Sequence, residues 1–337
     1  MGKNFPRITN LKESPELFEK TSKLIEKSFH YEAQNSFIKD FYPLMREENR
    51  SNCFVMVDEN ENVIAHVGAK EKFLSVNNKK FSLTLLGGIA VDEAKRGEGN
   101  FQNLFQDVLA EKRSDTSLFL LWSDQEKLYK KYGFYLCGEQ FESPQTKIST
   151  ELIQTRYKSL SENEKKTIHA LYEKSFSQIY LTPQRDWSDL TETSADLFIR
   201  KDKDIITDYF LMNKGQDLGG IIYEYGSEDL SSWLKIASQY GRVWTGKEIL
   251  PTESSQYQFF MAPGDTKLFA DLVREITNQA MSIREINVMK QEVYFDFNEE
   301  LLGLDVEEFL RGVFGPGVFE ELEPRPLPIF LSGIDSI

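Results

Sequence analysis

One segment limits the fold more than any other. Residues 81–91 form an apolar, strand-like run interrupted by Gly87-Gly88, and residues 92–99 make a turn carrying Lys95, Arg96, Gly97 and Gly99. Residues 100–113 then have helical periodicity, with Phe101, Leu104, Phe105, Val108 and Leu109 on one stripe. Two adjacent glycines inside a strand predict a bulge or a close backbone approach. A strand that feeds a helix through such a turn leaves N–H groups at the helix start unpaired, and the helix dipole adds partial positive charge there. Gly97 and Gly99 let that backbone approach a pyrophosphate, and Arg96 brings a cation to the same turn.

An α/β chain surrounds this segment. Ser14-Pro15 opens a helix that runs to about residue 30, by an N-cap residue followed by proline at the first helical position. Strands are predicted over residues 53–58 and 63–76, joined by an Asp-Glu-Asn-Glu-Asn hairpin turn, and over 118–122. A short helix over 125–131 ends at Gly133, and residues 134–141 read as a further strand. The polar stretch 143–151, with Pro144, divides the chain into residues 1–150 and 151–337. The second part begins with a helix over 161–176, where Ser161 and Glu164 have the spacing of a capping box. Strands over 205–213 and 217–225 follow, then helical periodicity over 230–240 and 266–279. Both parts run helix, hairpin, strands and helix, so a duplicated fold is expected, and 337 residues suffice for two cores.

Charge narrows the partners. The net charge of −14 speaks against nucleic acid and anionic membranes and in favour of cationic small molecules or basic peptides. Cys53 and Cys137 are too few for a disulfide framework, which fits a reducing, cytoplasmic setting. No apolar run approaches the roughly 18 residues that a membrane span needs, and the N-terminus lacks a signal-peptide core. No spacing of ligands predicts a metal.

Three motifs taken together resemble the Gcn5-related N-acetyltransferase (GNAT) family. They are Ile89-Ala90-Val91, then Arg96-Gly97-Glu98-Gly99-Asn100-Phe101, then Tyr129-Lys130-Lys131-Tyr132-Gly133-Phe134. Phe101 stands where the family has a small residue. The bacterial Eis-type branch is looser at that place and carries a Ser-acid pair before the tyrosine helix, as Ser123-Asp124 does here. The resemblance implies a tandem GNAT fold, a mixed and largely antiparallel sheet flanked by helices. It also implies acetyl-CoA, with the pyrophosphate on the amides of Gly97, Glu98, Gly99, Asn100, Phe101 and Gln102. The pantetheine arm would lie along Ile89, Ala90 and Val91, with Ser123 nearby. Tyr129 takes the family's general-acid position, and a phenol with a pKa near 10 suits protonation of a leaving thiolate.

The base is open. Residues 81–91 contain no Asp or Glu, which leaves three candidates. They are His66, Asp124 (which could equally cap the following helix) and the terminal carboxylate of Ile337, on a tail stiffened by Pro324, Pro326 and Pro328. Residues 151–337 carry no phosphate loop. A degenerate GNAT unit, or a sterol-carrier-like domain, is expected there to wall the acceptor site. The expected function is acetyl-CoA-dependent N-acetylation of a primary amine on a small molecule or peptide. A non-catalytic acyl-CoA-binding regulator and an aminoacyl or long-acyl transferase are the competing readings.

Overall fold

The computed structural model describes residues 6–335 apart from 148, 149, 253, 288, 289, 318, 320, 321, 323 and 324. The first part contains β1 (Arg7–Asn10), α1 (Phe18–Ser28), α2 (Phe37–Asp40), α3 (Tyr42–Met45), β2 (Cys53–Val57), β3 (Val63–Val76) and β4 (Lys79–Val91). It continues through α4 (Asn100–Arg113), β5 (Leu118–Leu121), α5 (Glu126–Tyr129) and β6 (Tyr135–Ser143). The second holds β7 (Ile153–Thr155), α6 (Glu162–Tyr172), α7 (Asp189–Glu192), β8 (Asp196–Asp202), β9 (Ile205–Met212), β10 (Ile221–Ser227), α8 (Leu230–Ala237) and β11 (Arg242–Thr245). Beyond these come β12 (Ser254–Pro263), α9 (Thr266–Ile276), β13 (Met281–Asn287), β14 (Glu292–Phe297), β15 (Glu300–Asp305) and α10 (Val306–Phe314).

Twelve strands form one mixed sheet in the order β1-β2-β3-β4-β5-β12-β6-β11-β10-β9-β8-β7. Only β4–β5 and β10–β11 are parallel. Each parallel pair is bridged by a helix, α4 or α8, as a crossover requires. The two parts repeat one order: a first strand, helices, three antiparallel strands, a helix, and a strand parallel to the last. The strand expected over 217–225 starts later and runs from Ile221 to Ser227. The capping box of Ser161 and Glu164 is present.

The parts interlock. Strand β12, which follows β11 in sequence, inserts between β5 and β6. It pairs Phe260 with Leu121 on one side and with Leu136 on the other. Strand β6 in turn pairs with β11. Residues after 254 therefore build the first part's core: Phe259, Met261, Phe269 and Leu272 share an apolar cluster with Ile25, Leu85 and Leu120. The tail ties both cores together. Ile329 and Leu331 enter that cluster, while Phe330 and Ile334 enter the second part's cluster with Tyr225 and Trp233. Each such burial contributes about 1.5–3 kcal/mol, so the tail resists detachment. The three-stranded sheet β13–β15 and α10 have no counterpart among the elements expected from the residues.

Candidate active site

Strand β4 outruns its parallel neighbour. Its pairing with β5 covers only Leu83–Leu86 against Leu118–Leu121, yet β4 continues to Val91 against β3. Beyond Leu86, then, the β5-facing edge of β4 has no backbone partner among the described residues. At the same place one residue of β3, Val67, opposes two of β4, Gly88 and Ile89, between the pairs His66–Ala90 and Gly68–Gly87. This is the bulge expected at Gly87-Gly88, and Gly88 takes a left-handed φ of 59°. A Cβ there would meet Leu44, His66 and Phe37 at 3.1–3.2 Å, so only glycine fits.

His66 supports the bulge. Its Nδ1–H donates to the Gly88 carbonyl at 2.7 Å, and the ring is fully buried. Burial pulls its pKa down to about 4, so the imidazole is neutral at ordinary pH.

The turn after β4 is held by short-range bonds. Asp92 Oδ1 accepts from the Ala94 N–H, and the buried Asn100 side chain donates to the Lys95 carbonyl at 3.0 Å. Gly97 and Gly99 both have φ of 81°, and a Cβ on either would meet open space. Gly99 is the N-cap of α4 and brings no side chain to it. The N–H of Asn103 donates to Gly99. Among the described residues the N–H groups of residues 97–102 have no backbone acceptor, so a bare helix N-terminus stands beside the open β4 edge. Arg96 is exposed at its rim. A hollow of about 130 Å³ beside it is lined by Lys27, His30, Asp92 and Arg96, among others.

Phe101, the departure from the small family residue, lies in an aromatic cluster. It stacks on Phe105 at 5.0 Å and meets Tyr129 and Tyr132 edge-on at 6.0 and 5.6 Å. Tyr129 is 5 % exposed, and burial raises its phenol to about 12, with a Ser123 contact acting the other way. It is thus protonated at any working pH. Ser123 also closes the turn before α5, because its Oγ accepts from the Gln125 N–H at 3.0 Å. Asp124 does not cap that helix. The N-cap is Gln125, and the exposed Asp124 carboxylate accepts from the Gln125 side chain at 2.8 Å.

Ile337 lies outside the described residues, but Asp335 is placed and deeply buried. Its carboxylate accepts from Lys72 of β3 at 3.0 Å and pairs with Arg185. Arg185 also pairs with Glu224 of β10 and donates to Ser332 Oγ at 2.7 Å. Burial alone would raise the Asp335 carboxyl, but Arg185 and Lys72 outweigh it and hold the group well below the usual range. Lys214 donates to the Gly333 carbonyl. This network was invisible in the sequence, since Lys72 and Asp335 stand 263 positions apart with no local pattern linking them.

Comparison with known proteins gives this arrangement a context. Residues 10–137 match a family described as an acetyltransferase (GNAT) domain. No curated protein matches in sequence. A GCN5-related N-acetyltransferase from Anabaena variabilis superposes with TM-score 0.60 at 16 % identity, over 91 % of this chain and 90 % of that one. Eis1 from Mycobacterium abscessus gives 0.58 at 10 % identity over the same shares. N-myristoyltransferase from Saccharomyces cerevisiae, solved with bound myristoyl-CoA, gives 0.51 at 10 % identity over 78 % and 84 %. At these identities the structures share a fold. Among the described residues no helix is long and apolar enough to cross a membrane.

Proposed function

We propose, from the match of residues 10–137 to the GNAT acetyltransferase domain, that the protein is an N-acetyltransferase that uses acetyl-CoA to acetylate a primary amine. The observation that carries this reading is the bare N-terminus of α4 set beside the unpaired edge of β4. The amides of Gly97, Glu98, Gly99, Asn100, Phe101 and Gln102 would hold the pyrophosphate, with Arg96 adding charge from the rim. Ile89, Ala90 and Val91 would pair with the pantetheine amides as an added strand does. Bound there, the thioester supplies the acyl group.

The chain's own residues then govern the protons. Tyr129, neutral and buried near Ser123, keeps a proton ready for the departing sulfur. The base must accept the amine's proton directly or through one water. Asp124, exposed and without a capping duty, is the candidate among the described residues. Residues 151–337 act in this reading as a degenerate copy that walls the acceptor site. The charge of −14 favours a cationic acceptor, and two unpaired buried cysteines fit the cytoplasm.

Calorimetry with acetyl-CoA, followed by thiol release over a panel of polyamines, amino sugars and basic peptides, tests the assignment. Acetyl-CoA binding with turnover on at least one amine is expected. Tyr129→Phe should bind acetyl-CoA normally and turn over about 10–100 times more slowly. Binding without turnover on any amine would favour an acyl-CoA-binding regulator, and tighter binding of long-chain acyl-CoA a long-acyl transferase.

A further inference from the structure

A second cleft, of about 440 Å³, opens at the other end of β4. Its lining includes Phe73 of β3, Lys80 and Phe81 of β4, Asp115 and Ser117 ahead of β5, and Leu268 of α9. Eight residues of strand separate Phe81 from Ile89, or roughly 26 Å at 3.3 Å per residue, so this cleft is remote from the proposed acyl site. It lies on the seam where the β12–α9 segment docks, beside the bonds from Gly264 and Asp265 to the Ser117 and Thr116 carbonyls.

The wall chemistry is selective. Two of its ion pairs are internal: Lys79 with Glu275 at 2.6 Å and Arg274 with Asp271 at 3.0 Å. Lys80 and Asp115 remain, one charge of each sign, and neither side chain has a partner among the described residues. Ser117 is fully buried, and its hydroxyl makes no hydrogen bond. A buried hydroxyl left unpaired costs about 1–3 kcal/mol, which a ligand could recover. Phe73 is 44 % exposed despite its size, and with Phe81 and Leu268 it offers apolar surface.

We propose that this cleft binds a small zwitterion with an apolar body, of the class of hydrophobic α-amino acids. The ligand carboxylate takes the Lys80 ammonium and the Ser117 hydroxyl, its ammonium faces the Asp115 carboxylate, and its side chain lies on Phe73, Phe81 and Leu268. No bond is made or broken, so the site is one of recognition, on the seam that joins α9 to the sheet.

The test is calorimetry on the full chain without any acyl-CoA, so its result is independent of the acetyltransferase reading. The probes are L-phenylalanine and L-leucine, with phenethylamine and 3-phenylpropionate as analogues that each lack one charge. Saturable binding of at least one amino acid is expected, with both analogues at least about tenfold weaker, as loss of one charged contact implies. Lys80→Glu, an exposed change that leaves the core alone, should weaken binding at least about tenfold, and Ser117→Ala several-fold. Acetyl-CoA affinity should not change in either variant. Absence of heat at millimolar amino acid would overturn the proposal. So would analogues that bind as well as the zwitterion, or a folded Lys80→Glu protein with unaltered affinity.

Discussion

The two parts of the chain run through the same order of strands and helices, yet they finish the step from strand to crossover helix in opposite ways. In the first, eight residues separate β4 from α4, the cap is Gly99, and the first-turn amides are bare. In the second, only Glu228 and Asp229 separate β10 from α8, and the Asp229 carboxylate accepts from the Ser232 N–H at 3.2 Å. The neighbouring groove differs likewise. The β4 edge beyond Leu86 is open, whereas the tail packs on β10: Gly333 lies against Tyr223, and Phe330 clusters with Tyr180 near Tyr225. A helix N-terminus is an anion site only while no side chain of its own caps it. One part keeps the site open, and the other uses the same geometry for its own stability.

The largest effect should come from separating the parts. Residues 1–150 alone lack β12, which leaves β5 and β6 without the strand between them and the core without Phe259 and Met261. That fragment should show no cooperative thermal transition by circular dichroism, and co-expression with residues 151–337 should restore one. A fragment that folds alone and binds acetyl-CoA would break the view of two interlocked parts.

Next in size is Asp335→Ala, which strands Lys72 in a buried setting, leaves Arg185 with Glu224 alone, and should cost about 3–5 kcal/mol in urea unfolding. The sign with pH follows from the lowered carboxyl. Its folded-state pKa lies below the unfolded value near 3.9, so the stabilisation is complete above that pH. It drains away as the pH falls further. The variant should therefore lose this part of the wild type's acid sensitivity, read from urea midpoints as the pH falls from about 5 to about 2.

Gly99→Asp would give the first part the cap that the second already has. Asp tolerates a positive φ at modest cost, and open space surrounds the position, so folding should survive. Acetyl-CoA affinity by calorimetry should fall at least about tenfold, by capping of the amides and by like-charge repulsion. The smallest effect is expected from the reciprocal change, Asp229→Ala. Loss of that cap should cost about 1 kcal/mol in a thermal melt and leave acetyl-CoA affinity unaltered.

What could be read directly from the residues was local. Strand β3 and helix α4 fall where periodicity puts them, at Val63–Val76 and Asn100–Arg113, because alternation and a 3.6-residue stripe are decided by near neighbours. The Gly87-Gly88 bulge and the two positive-φ glycines of the turn follow for the same reason, since only glycine has that backbone freedom at no cost. The capping role considered for Asp124 failed because Ser123, one residue earlier, closes the turn first.

Tertiary structure decided the rest. That β12 lies between β5 and β6 cannot be read from its sequence, since strand pairing is chosen by sheet-wide register and burial and not by propensity. The Lys72–Asp335–Arg185–Glu224 network is of the same kind: its members look like surface charges until four distant segments bury them together. The sequence by itself determined that one crossover helix starts at Gly99 without a capping side chain and the other at Asp229 with one. The fold determined which strand edge beside those starts stayed open, because only packing lays the tail against β10.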